Sequence, residues 1–397
     1  MIKTQHLTTV LLLISMTIAC KSNDKDNTVS KAISIDSLLH VRYQKLLDYP
    51  LDSLAFPRSY TPSTNTIHKV PSKDWTSGFF PGNLWQLFQL TGNEAFRTRA
   101  MAWTAFMEKE KFNNKTHDMG FKIFCSYGEG YRITHNEDYK EIILQSAKTL
   151  ATRFNENVGS LRSWDFNSDI WEFPVIIDNM MNLELLFEAT RMSGDSTYHK
   201  IAVKHANTTL KNHFREDNSS YHVVIYDTIT GATKDKVTHQ GYNAASAWAR
   251  GQGWGIYGFT MCYRYTKDPT YLKQAQANAE FYLNHPNLPE DGIPFWDFND
   301  PDIPASPRDV SAATVVASAL FELSDYVNNP DYIAYSNKVL KTLRSEEYIL
   351  DTTVDAPFIL DHSTGNWPKK DEMDEPIVYG DYYYLEALSR AEKQKIK

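Results

Sequence analysis

Two aspartates stand where a carboxyl group is costly to keep. Asp178 sits inside the run Val175-Ile176-Ile177-Asp178-Asn179-Met180-Met181. An acid among apolar neighbours is unfavourable unless it is neutral or hydrogen-bonded. Burial raises its pKa and keeps its proton in place near neutral pH, which is the property a general acid needs. A structural carboxylate capping a neighbouring helix is the other reading, and composition does not separate the two. Asp118 follows His117 and precedes Met119-Gly120-Phe121; a plain N-cap is its simpler reading. The third outlier is Ala247-Trp248-Ala249-Arg250-Gly251-Gln252-Gly253-Trp254-Gly255. Arg250 and Trp254 are four apart and so share one helical face. Arginine is the bidentate partner of carboxylate or sulfate, and an indole face can stack on a sugar. Three helical glycines cost about 1 kcal/mol each relative to alanine, so their backbone is expected to approach something closely. Tight helix packing with Arg250 in a buried ion pair is the alternative. Trp75, Trp164, Trp171 and Trp296 are further candidates, although most lone tryptophans belong to the core.

These residues need elements to position them, and a weak repeat supplies the architecture. Asn93-Glu-Ala-Phe96, Asn136-Glu-Asp-Tyr139, Asp195-Ser-Thr-Tyr198, Asp268-Pro-Thr-Tyr271 and Asn329-Pro-Asp-Tyr332 each place Asn or Asp three residues before an aromatic. The polar side chain caps the first turn. Pro269 and Pro330 fall at the first helical position, where no donor is lost. A sixth amphipathic helix is expected over residues 36–49. Between these runs lie six segments poorer in charge, at 79–90, 119–133, 174–192, 245–265, 310–327 and 377–389. A helix apolar on most sides is buried. Polar-faced and buried helices alternating six times predict an all-α (α/α)6 toroid forming a single domain, with an open solenoid as the alternative. A short hairpin is expected near 221–233, turning at Gly231. The functional groups should then collect near the starts of the inner helices.

The chain has 397 residues, 42% of them hydrophobic and 23% charged, with 23 Tyr, 20 Phe and 9 Trp. Those values suit a folded globular protein. A net charge of −8 argues against nucleic-acid binding, yet local cations can still attract an anion into a cleft. Lys3 precedes an apolar stretch from Val10 to Ile18 that is too short to span a bilayer and reads as a signal peptide. Its end, Thr17-Ile18-Ala19-Cys20, resembles a bacterial lipobox. That resemblance implies a signal over 1–19, lipidation of Cys20, a polar tether over 20–33 and a catalytic domain over 34–397. The expected location is the outer membrane, reached only through the lipid, on the periplasmic side rather than the cell surface. Cys125 and Cys262 are expected as buried thiols, although an exported protein could pair them. No His/Cys spacing resembles a zinc site.

Several longer motifs together resemble glycoside hydrolase family 88, the unsaturated glucuronyl hydrolases. They are Asp74-Trp75-Thr76-Ser77-Gly78-Phe79-Phe80-Pro81-Gly82, His117-Asp118-Met119-Gly120-Phe121, Ile177-Asp178-Asn179-Met180-Met181-Asn182, Trp248-Ala249-Arg250-Gly251-Gln252-Gly253-Trp254-Gly255 and Tyr379-Gly380-Asp381-Tyr382-Tyr383-Tyr384-Leu385-Glu386-Ala387-Leu388. The resemblance runs from about residue 35 to the end and implies the same toroid. It implies that Asp178 is the general acid and base, and that Asp118 is the second essential aspartate, touching sugar hydroxyls. His117, His222, Gln240, Trp248, Arg250 and Trp254, with Trp75, Trp164, Lys236 and Thr238, match pocket positions. Ser363, Lys369 and Lys370 do not form the spaced serine-and-lysine pattern associated with sulfated glycosaminoglycans.

The implied reaction hydrates the C4=C5 double bond that a polysaccharide lyase leaves on a terminal uronic acid. It uses no metal or organic cofactor. Its partners would be unsaturated oligosaccharides from ulvan or glycosaminoglycans. Three alternatives stand beside it: a family 105 enzyme acting on unsaturated galacturonyl-rhamnose, an inverting glycosidase on the same fold, and a non-catalytic glycan-binding lipoprotein.

Overall fold

The computed structural model describes residues 35–396. The signal segment, the tether and Cys20 lie outside the described residues. Helix α1 (Ile35–Asp48) comes first. Helices α2 (Phe79–Thr91) and α3 (Glu94–Ala105) follow as a pair. A π-helix, Gly120–Gly128, runs directly into α4 (Glu129–Thr134), and α5 (Glu137–Ala151) packs against it. The remaining pairs are α6 (Asn179–Ser193) with α7 (Ser196–Asn212), α8 (Ala249–Thr266) with α9 (Pro269–Leu283), and α10 (Val310–Leu323) with α11 (Pro330–Leu343). Helix α12 (Val378–Ile396) ends the series.

The capping residues expected from the repeat perform that task. Asn93, Asn136, Asp195, Asp268 and Asn329 each accept a hydrogen bond from the backbone N–H two residues on. This satisfies one donor that the first turn leaves without a partner. The even-numbered helices and the π-helix form the inner ring. Each packs on the next, and α12 packs back on α2, so the ring is closed and the open solenoid does not apply. Helix α1 packs on α2 and α3. Its Arg42 reaches the carbonyls of Val354 and Phe358, beyond α11, at 2.8 and 2.7 Å, which closes the outer ring.

The glycines of α8 serve this packing. A Cβ on Gly255 would stand 2.3 Å from Asn278 Oδ1 of α9, and one on Gly253 would meet Val315 and Val316 of α10 at 3.2 Å. Both Cys125 and Cys262 are free and buried.

Among the described residues, four small antiparallel sheets decorate the helices: β1 (Phe56–Thr61) with β2 (Thr66–Val70), β3 (Phe154–Asn155) with β4 (Ser160–Leu161), β5–β6–β7 (Pro174–Ile176, Val223–Tyr226, Thr233–Val237), and β8 (Ser363–Asn366) with β9 (Asp371–Glu375). The expected hairpin is present, with Gly231 at φ +71°. Two helix starts differ from expectation. Residues 174–176 pair with 223–225 as a strand, because β-branched Val175 and Ile176 find a cross-strand partner that no local pattern reveals. Residues 245–248 stay outside α8, where Trp248 forms a bridge with Asp297.

Candidate active site

The late start of α6 decides where Asp178 points. The residue stands between β5 and α6 with helical backbone angles, and its side chain caps nothing. The helix-capping reading therefore does not hold. The residue is 7% exposed and Oδ2 has no hydrogen-bond partner. Burial dominates and pushes its pKa up to about 7, with the Asp118 charge adding to the rise. Arg250, the residue's own N–H and the nearby Trp254 indole N–H pull the other way without cancelling the effect. Trp254 Nε1 makes no hydrogen bond of good geometry, so its influence is that of a nearby dipole.

His222, next to β6, faces the same oxygen, with Nε2 3.8 Å from Asp178 Oδ2. Its Nδ1 accepts from the backbone N–H groups of His239 and Gln240 at 3.0 and 3.1 Å. Two donors into Nδ1 leave the ring proton on Nε2, aimed toward Asp178. Burial holds the His222 pKa well below its usual value, so the contact joins a neutral imidazole to the carboxyl and is not an ion pair. Asp118 accepts from the Thr116 hydroxyl, and its Oδ1 lies 3.1 Å from His117 Nε2. It too makes no helix cap. His117 is fully buried, and that burial lowers its pKa.

These groups surround a cleft of about 250 Å³ at the starts of the inner helices. Asp118, Asp178, His117, Trp75, Trp164 and Gln240 line it together. His222 and Trp248 lie in a layer behind, their rings 4.7 Å apart. Arg250 and Trp254 do not reach the cleft surface, being 1% and 0% exposed. The Arg250 guanidinium is committed to Asp309 at 2.6 Å, to Ser311 Oγ, and to the carbonyls of Thr364 and Gly365. The buried ion pair that the sequence offered as the alternative is present. Trp254 packs between Phe121 and Tyr383. Lys236 lies over the Tyr221 ring, and Thr238 Oγ1 accepts from Gly241 N–H; neither lines the cleft.

Sequence reasoning missed Arg58, Phe166, His239, Asn366 and Glu372, all of which line the cleft. Arg58 holds Glu372 through two bonds of 2.7 and 2.9 Å across 314 positions of sequence. No local pattern signals such a pair. A signal did exist for His239 and Phe166, since both stand close to residues already singled out. Among the described residues no cluster of His, Cys, Asp or Glu could hold a metal ion.

Comparison with known proteins gives a single answer. The family model "Glycosyl Hydrolase Family 88" matches residues 55–287. An "Unsaturated glucuronyl hydrolase" of Formosa agariphila is 57% identical over the full length of both chains. An "Unsaturated chondroitin disaccharide hydrolase" of Streptococcus agalactiae is 33% identical over 83% of this chain and 85% of its own. Among solved structures, an unsaturated glucuronyl hydrolase specific for heparin superimposes with a TM-score of 0.88 at 43% identity, covering 91% of this chain and 97% of that one. With the closed double ring and the dry aspartate at its mouth, these matches place the chain in glycoside hydrolase family 88.

Proposed function

We propose that this chain removes the 4,5-unsaturated uronic acid from the non-reducing end of lyase-generated oligosaccharides by adding water across the C4=C5 bond. The observation that carries this reading is the Asp178 carboxyl, buried at the cleft without a counter-ion contact and pushed up to about 7. The substrate is an enol ether, which accepts a proton at carbon. Neutral Asp178 donates to C4, and positive charge develops at C5 and the ring oxygen. The carboxylate so formed takes a proton from water as its oxygen bonds to C5. The resulting hemiketal opens and releases the leaving sugar from C1. One group thus serves as acid and then base, unlike the carboxyl pair that flanks an anomeric carbon. Asp118, beside it in the cleft, is assigned to the sugar hydroxyls. His222, neutral with its proton on Nε2 facing Asp178 at 3.8 Å, steadies the carboxylate as it forms. A glycan-binding module would need no proton on a buried acid.

Relatives named for heparin and chondroitin products support an unsaturated uronate terminus as the recognised group. Ulvan fragments end in the same group and belong to the same proposal. The test is loss of the ultraviolet absorbance of the conjugated double bond on mixing with lyase products. Loss is expected, and an unchanged signal with retained binding would overturn the reading. A panel of heparin, chondroitin and ulvan products compared by kcat/KM assigns the polysaccharide. The amino-terminal motif supports export with a lipid on Cys20; Cys20→Ala should release the protein from membranes, and a membrane-bound variant would refute the anchor.

A further inference from the structure

The aromatic wall of the cleft extends beyond the reacting group, outward in steps. His222 is 3.8 Å from Asp178, the Trp164 ring is 6.0 Å from His222, and Phe166 stacks on Trp164 at 4.8 Å with 24° between planes. Exposure rises along the same path, from 4% at His222 to 44% at Phe166. His239 and Trp171 back this surface, at 5.6 and 5.9 Å from the Phe166 ring. The His239 pKa is depressed by burial, with Lys369 adding to the effect, to about 4, so the wall is uncharged at neutral pH.

An exposed phenylalanine is ordinary by itself, but this one is held in place. The residue before it, Asp165, receives both Arg153 Nη2 and Nη1, at 2.8 and 3.1 Å. Arg162 Nε donates to the Trp164 carbonyl at 2.9 Å. The residue after it, Asn167, takes φ +52°, and its carbonyl accepts from Ile170 and Trp171. A short loop fixed on both sides presents an apolar ring at the cleft rim with its conformational entropy already spent.

We infer that Phe166 is a specificity-determining residue: it extends the Trp164 surface into a stacking shelf for the uncharged face of a sugar beyond the scissile bond. The shelf favours longer unsaturated oligosaccharides over disaccharides. This rests on the proposed hydrolase reading and adds to it a preference for chain length. Such a contact is equal in the ground and transition states, so it sets KM and leaves kcat alone.

The test compares an unsaturated disaccharide and tetrasaccharide from one lyase digest, with the wild type, Phe166→Ala and Phe166→Trp. Phe166→Ala should raise KM for the tetrasaccharide about tenfold, with kcat retained, and cost less than about threefold on the disaccharide. Phe166→Trp should restore the tetrasaccharide value. Equal losses on both substrates, no loss on either, or failure of Trp to rescue with an unchanged circular dichroism spectrum would each overturn the shelf. If the wild type leaves every double bond intact, the hydrolase reading fails separately. Calorimetry with the tetrasaccharide then decides the shelf, which about tenfold weaker binding by Phe166→Ala supports and equal or undetectable binding refutes.

Discussion

At one mouth of the helical ring, the Asp178 side chain is 11% exposed. At the other, the Glu322 side chain is 10% exposed. Burial pushes both toward the neutral form, yet Asp178 rises to about 7 and Glu322 falls to about 2. The difference lies in their partners. Glu322 receives two bonds from Arg264, with Arg390 3.1 Å away, and these charges overrule burial. Around it Glu184 is shared by Arg132 and Arg264, and Glu188 takes the Tyr265 hydroxyl and Arg191. Asp178 has only a neutral imidazole at 3.8 Å and an Arg250 already committed to Asp309. Enclosure alone does not set a charge state; the presence or absence of a cation in contact does.

The strongest way to break this comparison is Asp178→Asn, which keeps the shape and removes the proton donor. Turnover, followed as loss of double-bond absorbance, should fall by about 10³-fold or more, while oligosaccharide binding by calorimetry is largely kept; normal activity would end the assignment. At the opposite mouth, Arg264→Leu leaves Glu322 and Glu184 short of counter-charge. It should cost about 3–5 kcal/mol in chemical denaturation while kcat changes little.

The next effect is one of pH. The folded Asp178 pKa of about 7 lies above its unfolded value of 3.8. Between those values the native state holds the extra proton, so the stability contribution is full at acid pH and is lost as pH rises through 7. Activity should decline as pH rises through 7 and above, where the folded donor ionises. Asp178→Asn should therefore gain stability over the wild type at pH 8 relative to pH 4, by up to about 4 kcal/mol, since a tenfold change in proton affinity is worth about 1.4 kcal/mol. An unchanged stability difference between variant and wild type at the two pH values would argue that Asp178 is ionised throughout. The smallest effect sharpens the comparison from the exposed side. Arg191, 61% exposed at its pair with Glu188, should cost under about 0.5 kcal/mol on replacement by Ala.

Much of the architecture was legible in local chemistry. The five Asn or Asp caps mark helix starts that the structure reproduces, because capping depends on residues two or three apart. Asp178 stood out because an acid among Val, Ile and Met is anomalous in any fold. The local pattern of strand β5 reads as helix, since the hydrogen bonds that decide it come from residues about fifty positions away. Arg250 shows the same limit from the other side. Its spacing from Trp254 puts both on one face of α8, but the pairing of its guanidinium with Asp309 depends on a helix 59 residues on.

By itself the amino-acid sequence determined the alternating helices, their caps, and an acid placed where water is scarce. Each of these follows from short-range hydrogen bonding or from the cost of burying a charge. Only the tertiary structure decided which cations that acid would lack, which aromatic rings would stack beside it, and which arginine would be used up behind it. Those outcomes are contacts between residues far apart in the chain, and local periodicity carries no information about them.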